Sequence, residues 1–273
     1  MTRDRLWHDP ALMVAVGVIL VAVVVALAAP LIAPYDPLQT NMADKMQAPN
    51  ARHWLGTDQL GRDNLSRIIW GTRISMVVGV LAVSVAVVLG VTAGVAAGYL
   101  GGPVDAAIVW VTDSLLSFPL VLMAILLIAF FGSTLLNILL AVGISLSPRF
   151  ARVARASTLT VKPMEYVQAA RAVGGSDLRI CLKHVLPNIL PSLLVVATMY
   201  VSSAILIEAN LSYLGMGVRP PTPTWGSIIN EGGKVLREAP WLALCAGTAI
   251  MVVVLAFNVI GDALRDFLDP RLR

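Results

Sequence analysis

The sequence predicts an all-α membrane protein of about six transmembrane helices, on three observations. Charged residues make up only 13% of the 273, hydrophobic residues reach 58%, and the mean hydropathy is +0.81; ordinary soluble domains carry about 25% charge. The charges also leave five long gaps, 10–35, 74–104, 114–148, 184–207 and 239–261, with no Asp, Glu, Lys or Arg. Those gaps are continuously apolar rather than alternating, which argues against a β-barrel. The same composition disfavours a soluble enzyme, a disordered chain and a nucleic-acid binder. The net charge of +4 and pI near 9.3 are spread through an apolar chain rather than concentrated on a basic face. Two cysteines, Cys181 and Cys245, exclude a disulfide-dense scaffold and a Cys-based zinc site.

Roughly 20 apolar residues cross about 30 Å of hydrocarbon, so four of the gaps hold one helix each. The gap 114–148 is too long for one crossing, and Gly132-Ser133 offers a turn within it. The expected spans are therefore about 11–33, 75–98, 106–131, 134–150, 189–211 and 241–262. The first could be a signal peptide, because Arg3 and Arg5 precede an apolar run and Ala26-Leu27-Ala28 resembles a cleavage site. The run is long for that purpose and Pro30 follows closely, so a retained helix is the expectation. Span two carries Gly90, Gly94 and Gly98, a repeated small-residue spacing suited to close helix packing. Pro119 is expected to kink span three.

Orientation follows from Lys and Arg. With the N-terminus inside, 12 of the 20 fall on the inner side and 8 on the outer. Seven of the inner ones (Arg149, Arg152, Arg155, Lys162, Arg171, Arg179 and Lys183) lie between spans four and five. Both termini are expected to be cytoplasmic.

The outer loop 34–73 begins with Pro34, Pro37 and Pro49 and turns amphipathic from Gln59. Leu60, Leu65, Ile68, Ile69 and Trp70 interleave with Arg62, Asp63 and Arg67, which suits a helix at the membrane interface or a lead-in to span two. The expected organisation is an N-terminal unit, 1–73, of tail, first helix and outer loop with interfacial helix, followed by a core unit, 74–273.

The most informative stretch is cytoplasmic, 162–188. Residues 165–173 read as a short helix, with Pro163 before it and Glu165 in its first turn. Gly174-Gly175 ends it, and Ser176 is placed to cap a second helix that runs to Pro187. The segment is too polar for the bilayer. Ala169 and Ala170 offer little bulk beside charged neighbours, a surface suited to docking in a groove of another protein, or else an ordinary solvated loop.

These residues resemble the EAA loop of ABC-importer permeases. Gln168-Ala169-Ala170, Gly174 and Leu186-Pro187 stand at the spacing of that loop, with Gln168 and His184 departing from its Glu and Ile. Glu165 looks like the acidic residue of the variant found in peptide-transporter permeases. Residues 55–67, Leu-Gly-Thr-Asp-Gln-Leu-Gly-Arg-Asp-Asn-Leu-Ser-Arg, are similar to a signature of the second, C-type permease of dipeptide and oligopeptide importers. So are the stretches 208–226 and 261–271 and Ser117-Phe118-Pro119. The likeness covers nearly the whole chain.

The resemblance implies a type I ABC importer permease (MetI-like) fold in the bacterial cytoplasmic membrane. It further implies that Glu165, Tyr166, Ala169, Ala170 and Gly174 couple the chain to an ATPase. The implied partners are a second, homologous permease, two cytoplasmic ABC ATPases that bind ATP and Mg, and an extracytoplasmic substrate-binding protein, within membrane lipid and without nucleic acid. The cargo implied is dipeptide or oligopeptide, with nickel chelates, glutathione and opines as alternatives among close relatives.

No catalytic chemistry is expected in this chain. A phosphate-cradling loop needs Gly-x4-Gly-Lys-Ser/Thr, and Gly232-Gly233-Lys234 is followed by Val235. An ion-coupled secondary transporter would need carboxylates or histidines at midplane depth. Asp113 and Glu208 are the candidates, and both are expected near helix ends. An intramembrane protease lacks a supporting dyad, HExxH or paired-Asp spacing. His8, His53 and His184 are scattered, so no resident metal is expected.

Overall fold

A computed structural model describes residues 9–268. Arg3, Arg5 and His8, and the C-terminal Asp269, Pro270, Arg271 and Arg273, lie outside the described residues. Among the described residues there is no β-strand, only an isolated bridge between Thr57 and Asp63. Five helices are long and apolar enough to cross a membrane, and a bent helix pair could supply a sixth crossing.

Helix α1, Pro10–Ile32, begins where Asp9 accepts the Ala11 N–H at 2.9 Å and Pro10 occupies the first turn. It is apolar all round. Only its small residues Ala15, Ala22, Ala26 and Ala29 are buried, against α2 and α10.

Helix α2, Asn64–Leu100, is the axis of the molecule: 37 residues, about 55 Å at 1.5 Å per residue. The amphipathic stretch from Gln59 therefore forms no separate interfacial helix. Asp63 caps α2 by accepting the Ser66 N–H at 2.8 Å, and the turns bearing Arg67 and Trp70 run directly into the apolar span.

The third predicted span breaks into α3, Gly102–Leu116, and α4, Leu120–Phe131, bent by 93°. Pro119 has no N–H to donate and pushes Phe118 away from helical dihedrals, so the kink becomes a corner. Helix α5, Leu135–Val161, overruns its predicted end near 150 and carries Arg149, Arg152 and Arg155. Pro148 is tolerated inside it because the Ser147 hydroxyl donates to the Ile144 carbonyl at 2.9 Å, the acceptor that Pro148 cannot serve.

After a tight turn come α6, Glu165–Ala172, and α7, Asp177–Ile180. A π-helical turn, Cys181–Val185, then leads without interruption into α8, Leu186–Tyr213. Pro187 was expected to end a helix; the wider π turn instead absorbs its missing donor. Helix α9, Trp225–Gly233, is short and was not foreseen, and α10, Pro240–Leu268, closes the bundle.

The core joins α2, α5, α8 and α10 around Val78, Ala82, Ile138, Val142, Leu146, Ile205 and Val253. Helices α2 and α5 touch backbone to backbone. A Cβ on Gly90 would stand 2.3 Å from the Ser147 carbonyl oxygen, on Gly94 2.3 Å from that of Ala151, and on Gly98 2.8 Å from Thr158 Cβ. Gly143 returns the contact from α5, 2.8 Å from the Ala82 oxygen.

Residues 34–63 and α9 form a cap at one end. Its centre is an ion cluster. Arg67 donates to Asp58 at 2.5 Å and to Glu231 at 2.6 and 3.0 Å, while Arg62 donates to Asp58 at 2.6 Å and Glu231 at 2.8 Å. Beside it His53 Nδ1 lies 2.9 Å from Asp63 Oδ1. The signature 55–67 is thus the structural heart of the cap, with its charges buried and paired.

Glu208 lies within the last two turns of α8, as expected, but it is fully buried there, accepting from the Ser212 hydroxyl at 2.7 Å and the Ser75 hydroxyl at 3.2 Å. Ser212 in turn accepts from Thr224 at 3.2 Å, the residue that caps α9. The cluster therefore fixes α9 against α8 and α2.

Candidate functional site

At the end of the bundle opposite the cap, α6 projects on a short stalk. Glu165 opens the helix and Arg171 closes it, each with the charge that suits its end of the helix dipole. Gln168 donates from its side chain to the Lys162 carbonyl at 3.0 Å, locking the incoming turn. Gly174 ends the helix with φ +80 in open space, a left-handed dihedral that glycine adopts without a Cβ penalty. Gly175 has a different job: a Cβ there would lie 2.7 Å from the Ala170 carbonyl oxygen, whose acceptor it serves at 3.0 Å. Ser176 occupies the cap position of α7, but its side chain makes no capping hydrogen bond.

Helix α6 has one inward face. Val167 is buried with Tyr99, Val91, Ala154, Ile180, Val185, Ile189 and Leu193, a second apolar cluster separate from the main core, and Ala170 packs half-buried against it. Tyr99, which the sequence reading passed over, ties the segment to α2. Its hydroxyl donates to Asp177 at 3.1 Å and accepts from Arg171 at 3.2 Å. The Arg171 and Lys162 cations sit 5.5 and 5.8 Å from its ring centre. The bond to Tyr99 holds the Arg171 guanidinium pKa above its usual value. A lone tyrosine closing a Gly- and Ala-rich helix was the available signal.

The opposite face is bare. Glu165, Tyr166 and Ala169 are exposed, and Val173 is 85% exposed. Met164, just before the helix, is also exposed, whereas Leu178 and Leu182 line a separate apolar cleft against Val95, Tyr99 and Leu100 of α2. Of the five residues singled out here, Glu165, Tyr166, Ala169 and Gly174 are exposed, while Ala170 turns its methyl toward the protein's own cluster. Gly90, Gly94 and Gly98 lie elsewhere, along the α2–α5 contact.

The Gly232-Gly233-Lys234 segment ends α9, and Gly232 is pressed against α10, where a Cβ would lie 2.6 Å from Ala243 N. It is no phosphate cradle. Among the described residues no group of three or more His, Cys, Asp or Glu is placed to hold a metal ion.

Residues 86–273 match the family described as "binding-protein-dependent transport system inner membrane component". The chain belongs to that family. It is a multi-pass inner-membrane permease subunit of an ABC importer. Residues 1–49 match the N-terminal TM domain of oligopeptide transport permease C. The dipeptide transport system permease protein DppC of Alkalihalophilus pseudofirmus is 40% identical over 260 residues, covering 94% of this chain and 86% of that protein. The glutathione transport system permease protein GsiD of Escherichia coli O157:H7 is 42% identical over 262 residues, covering 96% and 86%. The permease fold of the MetNI methionine ABC transporter, solved in inward-facing conformations, superposes with a TM-score of 0.61 at 19% identity, covering 74% of this chain and 97% of that one.

Proposed function

We propose that this chain is the C-type permease of an ATP-driven importer of dipeptides and oligopeptides, with α6 as the coupling helix seated in a cleft of a cytoplasmic ATPase. The observation that carries the reading is the two-faced build of α6. One face is bolted to α2 through Val167, Arg171 and Tyr99, and the other offers Tyr166, Ala169 and Val173 to solvent. An anchored helix with an apolar outer surface suits a partner's groove and transmits force into the bundle.

In this reading both termini and α6 face the cytoplasm and the cap faces outward. The partners are a second homologous permease, two ATPases that bind ATP and Mg, and an extracytoplasmic binding protein that delivers cargo. Closure of the ATPases moves α6, the α2–α5 pair moves with it as one body, and access shifts from the inner to the outer side. The coupling residues of this chain are Glu165, Tyr166, Ala169, Ala170 and Gly174, with Ala170 acting through packing.

The resemblance to a dipeptide permease at 40% identity supports the cargo class. A second reading, glutathione, has its own support in the 42% identical relatives. An ion-coupled carrier is disfavoured by the two candidate carboxylates. Asp113 is paired with Arg152 at 2.8 Å, and Glu208 is enclosed by hydroxyl donors. Uptake of a labelled dipeptide and of labelled glutathione should be measured in cells lacking only this chain. Loss of dipeptide uptake, restored by the gene, is expected; unchanged dipeptide uptake with lost glutathione uptake would overturn the first cargo in favour of the second.

A further inference from the structure

We infer that α3 is a swinging gate helix, hinged at both ends and latched to α5 by two ion pairs. The inference deepens the transport reading by naming a moving part. Helix α3 contains no buried residue, unlike every spanning helix around it. Two adjoining clefts lie between it and the α2–α5 pair, sharing Ile108, Thr112 and Ala151. One, of about 280 Å³, separates Ile108, Val111 and Leu115 from Gly90, Ala93 and Pro148. The other, of about 260 Å³, lies between Val109 and Thr112 on α3 and Ala97 and Ala151. Its apolar packing is partial: Ile108, Val109, Leu115 and Leu116 are half-buried against α2 and α5, and none is fully enclosed.

Two ion pairs complete the attachment. Arg155 grips Asp105 with two parallel bonds, Nε to Oδ1 at 2.5 Å and Nη2 to Oδ2 at 2.6 Å. Two turns along, Arg152 donates to Asp113 at 2.8 Å. The side chains of the outer pair are 65% and 54% exposed, those of the inner pair 35% and 22%. Contacts this accessible can be exchanged for other polar partners, whereas close-packed helices cannot part without exposing apolar surface.

The ends permit the swing. Gly101 and Gly102 have φ +72 and +55 and nothing within 4 Å of a notional Cβ, so the joint with α2 is unobstructed. At the other end the chain turns 93° through Ser117, Phe118 and Pro119. The latch residues sit on α5, which the tight turn 162–164 joins to α6. Movement of α6 therefore reaches the latch through one short turn and the end of α5.

The test places nitroxide labels on Ala106→Cys in α3 and Ala156→Cys in α5, both exposed, in the full chain with its co-purifying partners and with Cys181 and Cys245 changed to Ser. Distances are read by pulsed electron resonance without nucleotide or peptide. The native latch is expected to give one narrow distance. Asp105→Asn with Asp113→Asn should add a longer, broader population, and 1 M NaCl should do so in the native-latch protein, which guards against a misfolded variant. Exchanging the inner pair, Asp105→Arg with Arg155→Asp, should keep the narrow distance. Superimposable distributions in all samples, including the case where a partner subunit pins α3, would overturn the gate. A complex that unlatches but takes up no dipeptide would sink the cargo reading and leave the gate standing.

Discussion

Arg171 donates to the Tyr99 hydroxyl at 3.2 Å across 72 residues of sequence, joining the end of α6 to the end of α2. The same α2, 37 residues long, carries Arg67 in the cap at its other end. One helix thus has a polar anchor at each end of the bundle and a backbone-close contact with α5 between them.

Removing the Tyr99 hydroxyl separates anchoring from packing. Tyr99→Phe keeps the ring within the apolar cluster but deletes the bonds to Arg171 and Asp177. A small loss of thermal stability is expected, because both partners are solvent-exposed, with a larger fractional loss of transport than of ATP hydrolysis. Thermal unfolding of the purified complex and proteoliposome uptake check the two parts; unchanged coupling would show that α6 is positioned by Val167 and its neighbours alone.

Arg67 is the cation on which the cap depends. Arg67→Ala leaves Asp58 buried with one fewer partner, and removing one member of a buried pair costs about 3–5 kcal/mol. Loss of folded protein is expected on fluorescence-detected size exclusion. Arg67→Lys should rescue little, because a single ammonium cannot bridge Asp58 and both oxygens of Glu231 as the guanidinium fork does.

The glycine spacing of α2 makes a graded prediction. Gly94→Leu drives a side chain into the Ala151 carbonyl and should cost about 1–3 kcal/mol through overpacking. Gly247→Leu on α10, with nothing within 4 Å, should be near neutral in the same thermal assay.

The two glycines after α6 should fail differently. Gly174→Ala meets no atom but forces a left-handed dihedral at a cost of about 1–2 kcal/mol. Gly175→Ala meets the Ala170 carbonyl instead. Protease protection of the 162–188 segment in inserted protein should weaken in both, and Gly174→Pro, whose fixed dihedral is incompatible with φ +80, should weaken it most.

Much of this architecture was legible in the charge gaps. The first span was placed within a residue at each end and α6 within one residue, because apolar runs and a Pro/Gly-bounded polar helix are local signals. Where the reading fell short, the cause was non-local. A charge gap marks hydrocarbon depth, not helix ends, so α2 and α5 run past theirs on Arg67 and Arg155, whose partners Glu231 and Asp105 are remote in sequence. Composition carries no direction, which hid the right-angled corner at Pro119. Glu208 looked peripheral because its donors Ser75 and Thr224 arrive from two other elements. Tyr99 went unnoticed for the same reason.

The central claim is that the exposed face of α6 docks an ATPase, and Ala169→Trp tests it most directly. Ala169 is exposed and packs on nothing within the chain's own apolar cluster, so insertion and thermal stability should match the unmodified protein. With co-expressed ATPase subunits, the variant should lose their co-purification and its ATP-driven dipeptide uptake together. A stably inserted Ala169→Trp protein that retains its ATPase subunits and transports at the normal rate would contradict the account.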